Sequence, residues 1–170
     1  RQMCIRDRYN RGYFDEILPR AVAHAARYQE PLSLLLVDTD HFKTINDTHS
    51  HITGDRVLRV VADTLGEHAR ASDTVCRFGG DEFIVILSSA DASAASAFAE
   101  RFRRRLRERV RAATPPLPVD EVTATVGIAT FLEDDVATAD DLVRLADSRL
   151  YVGKRAGRDR VVWHDLPTSA

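Results

Sequence analysis

The segment RFGGDEFIVIL, from Arg77 to Leu87, constrains the fold more than any other part of the chain. The residues leading into it, DTVCRF, and its second half, FIVIL, are rich in β-branched and aromatic types and read as strands. Only a tight tip separates them, so they read as an antiparallel hairpin. Helical and strand patterns alternate in the rest of the chain. A hairpin inside such an order argues against an all-parallel sheet and for an α+β fold, one mixed sheet covered by helices. The tip is chemically odd. A bare hairpin turn favours Asn-Gly or Asp-Gly. Here Gly79 and Gly80 come first, and two acids, Asp81 and Glu82, follow.

Hydrophobic spacing supplies the remaining elements. Phe14, Ile17, Val22, Ala25 and Tyr28 mark a first helix that Pro19 should kink or restart. PLSLLLVD reads as a buried central strand. HFKTIND is a short helix or turn, and a helix follows from about Gly54 to Ala69. Asp91 is a plausible N-cap for a long helix whose apolar face is Ala95, Phe98, Phe102, Leu106 and Val110. Seven arginines lie between Arg101 and Arg111; apart from Arg101 they read as a solvated face. TPPLP ends that helix. EVTATVGIAT alternates as a strand, Thr138 caps a last helix, and RVVW closes as a short strand.

At 170 residues and 44% hydrophobic content the chain suits one folded domain with a proper core. Residues 9–165 read as that domain. The opening RQMCIRDR fits neither period, so residues 1–8 read as a non-native or linker scar, and residues 166–170 as a tail. A formal net charge of -2 offers no basic field for a nucleic-acid polymer. Cys4 and Cys76 make neither a disulfide framework nor a zinc site; Cys76 reads as a small core residue. No apolar run approaches a span of about 20 residues. The expected location is cytoplasmic, which leaves a longer parent protein free to be membrane-anchored.

Acids gather where strands end. Asp38 and Asp40 close the PLSLLLVD strand on one face. Asp81 and Glu82 open the strand after the glycines. If the two strands are neighbours, three or four carboxylates meet at one edge. Like charges so close repel unless a cation lies between them. Such oxygen donors suit Mg²⁺ or Mn²⁺ sharing phosphate oxygens and water. Gly79 and Gly80 would then let a phosphate or base approach the backbone. Without strand adjacency the same residues are a tight turn with solvated acids.

Together these motifs resemble the GGDEF domains, the diguanylate cyclases. RFGGDEF resembles the family signature, LLLVDTDHFKTIND its metal- and substrate-binding stretch, and GKRAGRDRV its C-terminal end. The similarity runs from about Asn10 to Trp163. The resemblance implies a five-stranded mixed sheet surrounded by helices, related to the palm of nucleotidyl cyclases and polymerases. It implies condensation of two GTP into cyclic di-GMP with release of two pyrophosphates, by a homodimer using two Mg²⁺ or Mn²⁺ ions per site.

By motif, the resemblance makes Asp38, Asp81 and Glu82 metal-binding carboxylates and gives Thr39 a metal-binding backbone carbonyl. Asp81 or its neighbour Glu82 assists deprotonation of the attacking hydroxyl. Asn46 and Asp55 match the guanine-reading pair. A carboxylate suits guanine's two edge donors, which adenine lacks. Lys43, Lys154 and Arg158 match residues that neutralise the triphosphate, and His51, Gly79 and Gly80 complete the substrate set. Arg70 and Asp73, in RASD, stand at the register of an inhibitory R-x-x-D site for the product, with Arg101 as its second arginine. An upstream sensor domain is an expected partner.

Three departures stand out. MCIRDRY replaces the stretch that usually precedes Asn10 and Arg11. Ser50 precedes His51 where the family has glycine, which should strain a special backbone angle. Asp159 stands where asparagine is commoner. The alternative to an active enzyme is a catalytically silent domain that binds cyclic di-GMP or GTP. The intact GGDEF run favours the enzyme.

Overall fold

The structure, a computed structural model, describes residues 11–119 and 121–164. The expectations for Cys4, Asn10 and the two end segments lie outside these residues. Among the described residues, five helices and five strands follow one another as α1 (Arg11–Tyr28), β1 (Leu32–Thr39), α2 (Phe42–His49), α3 (His51–His68), β2 (Thr74–Gly79), β3 (Glu82–Ser88), α4 (Ala92–Arg111), β4 (Ala124–Phe131), α5 (Ala139–Arg155) and β5 (Val161–Val162). The strands form one mixed sheet in the order β2-β3-β1-β4-β5. All pairings are antiparallel except β4 with β5. The α+β reading therefore holds.

β1 is buried along its whole length. It has a strand on each side, and its alternating residues feed two cores. Leu35 and Val37 join Phe83, Val85, Val126 and Ile128 in the core that contains Val57, Val61 and Leu65 of α3 and Phe98, Phe102 and Leu106 of α4. Leu32, Leu34 and Leu36 join Ile84, Ile86 and Ala129 with Phe14, Leu18 and Val22 of α1 and Leu142, Ala146 and Leu150 of α5. Each such Val, Leu, Ile or Phe side chain contributes about 1.5–3 kcal/mol on burial. The apolar run of PLSLLLVD thus reflects a central strand covered on both faces.

α5 approaches β4 closely because Gly127 has no side chain. A Cβ there would overlap the backbone of Ala146 and Leu150, and one on Gly153 would press on Thr125. This close seating carries Lys154 to the end of β1.

Some boundaries differ from expectation. α1 runs unbroken through Pro19. Pro19 and Asp15 are both exposed, so the carbonyl left without its helical donor faces water. α3 begins at His51, ahead of Gly54, because the Ser50 hydroxyl accepts the Thr53 N–H at 3.3 Å. β4 begins at Ala124 rather than Glu121. The caps at Asp91 and Thr138 form as expected, the latter as a full capping box with Asp141. Among the described residues no helix is long and apolar enough to cross a membrane.

Candidate active site

The β1–β3 ladder meets the condition on which the acidic reading depended. The two strands are neighbours, and Asp38 faces Glu82 across the ladder. At the next step Thr39 donates both its N–H and its hydroxyl to the Asp81 carbonyl, at 3.2 and 3.3 Å. The hairpin tip is therefore tied to the end of β1. The β2–β3 register slips between Arg77 and Gly79, so Gly79 opposes Glu82. The Arg77 guanidinium spans the turn and donates to the Gly80 carbonyl at 3.1 and 2.6 Å. Nothing lies within 4 Å of where a Gly80 Cβ would stand. The backbone here is open to an approaching group.

Asp38 is only 7% exposed, and its Oδ2 accepts a hydrogen bond from Lys154 Nζ at 2.7 Å. Burial pushes its carboxyl above the ordinary value; Lys154 opposes this, while the charges of Asp81 and Glu82 add to it. The three acids thus sense one another at the sheet edge. Asp40 is different. Its carboxylate accepts the Thr123 hydroxyl at 2.8 Å, the Thr125 hydroxyl at 2.6 Å and the Asp159 N–H at 3.0 Å. The expected convergence of up to four carboxylates is thereby reduced to three, because Asp40 is used to hold the loop beside β1.

A hard cation fits this donor set. Among the described residues no three acid or histidine side chains form a ready cage. Mg²⁺ uses few protein carboxylates and completes its octahedron with water and substrate phosphates. A buried, proton-favouring Asp38 beside two further acids is a place where positive charge is favourable, and Lys154 now supplies it.

The expected nucleotide-contacting residues lie on α2, on α3 and at the end of α5 and the turn after it. Lys43 and Asn46 lie on α2, and His51 and Asp55 in the first turns of α3; Lys43, His51 and Asp55 are exposed. Asn46 packs against Gly54, where any Cβ would overlap its Oδ1, and that oxygen is buried without a hydrogen-bond partner. Gly54 was missed as a site residue, since a lone glycine in a helical pattern shows only a propensity cost. The signal available was its place between His51 and Asp55. Ser50 takes φ 142°, a conformation that favours glycine, so the expected strain is present. Arg158 is exposed on the turn after α5.

Arg70 and Asp73 form a self-closed turn. The Arg70 N–H donates to Asp73 Oδ2 at 2.7 Å, and the Asp73 N–H to the Arg70 carbonyl at 3.1 Å. The Arg70 side chain is exposed. Arg101 lies over the Phe98 ring at 5.9 Å, and Phe98 meets His68 edge-on near the end of α3. Among the described residues no hydrogen bond joins Arg101 to Arg70. Of the other α4 arginines, Arg104, Arg105 and Arg111 are exposed as expected of a solvated face, but Arg103, Arg107 and Arg109 depart from it. Arg103 is 9% exposed and, with Arg107, pairs with Asp159, while Arg109 pairs with Glu67. Helical periodicity treats an arginine as outward-facing; a carboxylate more than fifty residues away overrides it.

The family described as "Diguanylate cyclase, GGDEF domain" matches residues 7–160. Diguanylate cyclase DosC of Escherichia coli K12 is 39% identical over 153 residues, covering 89% of this chain and 32% of the relative. The chain thus spans about a third of that relative's length. The GGDEF domain of DgcB from Caulobacter crescentus, solved in complex with c-di-GMP, superposes with a TM-score of 0.82 at 33% identity, covering 95% of this chain and 96% of that one. The active GGEEF domain of a diguanylate cyclase from Vibrio cholerae gives 0.82 at 31% identity, covering 93% and 99%.

Proposed function

Because the chain belongs to the GGDEF family of diguanylate cyclase domains, we propose that residues 9–165 are a catalytic domain that condenses two GTP into cyclic di-GMP. The observation that carries this reading is the register that sets Asp38 opposite Glu82, next to an open glycine turn, with Lys154 at 2.7 Å from Asp38.

In each half-reaction the ribose 3′-oxygen of one GTP attacks the α-phosphorus of the other. The bond from that phosphorus to the bridging oxygen breaks, and pyrophosphate leaves with its electrons. Asp81, or Glu82 beside it, takes the hydroxyl proton. The second half-reaction repeats this with the roles exchanged and closes the ring. Asp38, Asp81, Glu82 and the Thr39 carbonyl would hold two Mg²⁺ or Mn²⁺ ions, whose charge would offset that of the phosphates and lower the pKa of the attacking hydroxyl. Lys43, Lys154 and Arg158 neutralise the triphosphate. Asp55 accepts hydrogen bonds from guanine's edge donors and Asn46 serves an acceptor, with His51, Gly79 and Gly80 lining the approach.

A product with two equivalent phosphodiesters suits a twofold pair of domains, each presenting one GTP. Catalysis is therefore a property of the homodimer, and alignment of the two nucleotides is its main contribution. The exposed Arg70, with Asp73 and Arg101, forms a product-binding inhibitory site, since guanidinium groups recognise phosphates and guanine edges. A GTP-consuming domain with a free, buried Cys76 fits the cytoplasm. An upstream sensor in a longer protein is its natural regulator.

The test is to strip co-purified nucleotide, incubate the chain with GTP and Mg²⁺, and separate products by chromatography, beside Asp81→Ala. Cyclic di-GMP from wild type alone is expected. If neither protein yields product even when dimerised by a fused coiled coil, the domain is a silent nucleotide receptor.

A further inference from the structure

Gly157, Arg158 and Asp159 follow one another with φ values of 111°, 63° and 47°. Two consecutive non-glycine residues at positive φ persist only where their surroundings over-determine them. The surroundings do so here. The Asp159 N–H donates to Asp40 Oδ2 at 3.0 Å, and the Arg158 N–H to the Gly153 carbonyl at 3.0 Å. From the other side, Arg103 of α4 donates to Asp159 Oδ1 at 2.6 Å and also to its carbonyl. Arg107, one turn on, pairs with Asp159 Oδ2. Both oxygens of the carboxylate, its own N–H and its own carbonyl are thus engaged. Burial would raise the Asp159 carboxyl, but the two arginines outweigh it and hold it below the ordinary value. The contacts are reciprocal in consequence. Arg103 is buried, and among the described residues it pairs with Glu100 as well as Asp159.

Asp159 therefore lies between two parts of the site. Its backbone holds Asp40, next to Thr39 and Asp38. Its φ fixes the turn from which Arg158 extends. Resting on the reading above, we propose that Asp159 is a positioning residue for the nucleotide triphosphate: clamped by Arg103 and Arg107, it locks the turn bearing Arg158 to the metal-binding end of β1. It touches neither substrate nor reacting atoms. A salt bridge serving only stability would leave substrate affinity unchanged when removed.

The experiment compares wild type, Asp159→Ala, Asp159→Asn and Arg107→Gln. Amide hydrogen exchange over residues 156–160 is read first. Equilibrium dialysis with GTP and Mg²⁺, and KM and kcat for cyclic di-GMP formation, are read second. Asp159→Ala should speed exchange of the turn about tenfold or more. GTP affinity and KM should worsen about tenfold while kcat falls much less. Asp159→Asn, which keeps the shape and one acceptor, should fall between. Wild-type exchange and wild-type GTP affinity in Asp159→Ala would overturn the proposal. If Asp159→Ala does not fold, Arg107→Gln decides alone, with the same signs at smaller size. Exchange and dialysis need no turnover, so a wild-type chain that makes no cyclic di-GMP defeats the enzymatic reading without deciding this one.

Discussion

Asp38 and Glu82 face each other across the β1–β3 ladder, and Lys154 Nζ lies 2.7 Å from Asp38 Oδ2. Acids directly opposite on a sheet repel, so this pairing weakens the fold unless something offsets it. The raised Asp38 carboxyl shows that Lys154 does not fully offset burial.

Asp38→Asn should therefore separate function from stability. Turnover should fall about 10²–10³-fold, since the proposed cation site loses a carboxylate ligand and with it positive charge at the reacting phosphates. Stability should move the other way. An acid whose folded pKa lies above its unfolded value of 3.8 binds more protons when folded. Its contribution is present at low pH and lost as pH rises through that window. The asparagine does not titrate. Unfolding by denaturant at several pH values should show the variant gaining on wild type as pH rises; the opposite trend would mean that Lys154 outweighs burial.

Gly54→Ala tests the seat of Asn46. On helix propensity alone it should stabilise the protein by about 0.8–1.0 kcal/mol. The new methyl group collides with Asn46 Oδ1. We expect a folded protein with a melting temperature near wild type, a GTP KM raised about tenfold, and weaker preference for GTP over ATP. Unchanged KM would remove Asn46 from base recognition.

Ser50→Gly should stabilise the chain. Ser50 is at φ 142°, where a side chain costs about 1–3 kcal/mol. Its hydroxyl caps α3 through Thr53 N, and a glycine cap loses only about a few tenths of a kcal/mol. A net gain of about 1 kcal/mol in chemical denaturation is expected. A loss would show that the cap outweighs the strain.

Arg70→Ala should relieve product inhibition while leaving initial rates intact. Asp73→Ala is a poorer probe, because Asp73 closes its own turn through the Arg70 N–H. Initial rates measured with added cyclic di-GMP check this: wild type should slow and Arg70→Ala should not. Equal slowing of both proteins would exclude Arg70 from the inhibitory site.

Much was legible from short-range pattern. The hairpin at Gly79 and Gly80 required an antiparallel pair, and the apolar run of β1 required burial on both faces. The spacing of Phe98, Phe102 and Leu106 and the caps at Asp91 and Thr138 are local, because each depends on residues within a turn or two. The chemistry of the acids was likewise visible as a class. The tertiary structure decided which groups meet. Register sets Asp38 against Glu82, and a slip of one residue would have turned every side chain of one strand to the other face. Asp40 resembles Asp38 in the sequence, yet Thr123, Thr125 and Asp159 claim it from over eighty residues away. Arg103 and Arg107 have the spacing of a solvated face but close on Asp159, more than fifty residues on. Periodicity reports which side of an element is apolar. It carries no information about which distant polar partner reaches that element, because that depends on how helices and strands pack after their own conformations are set.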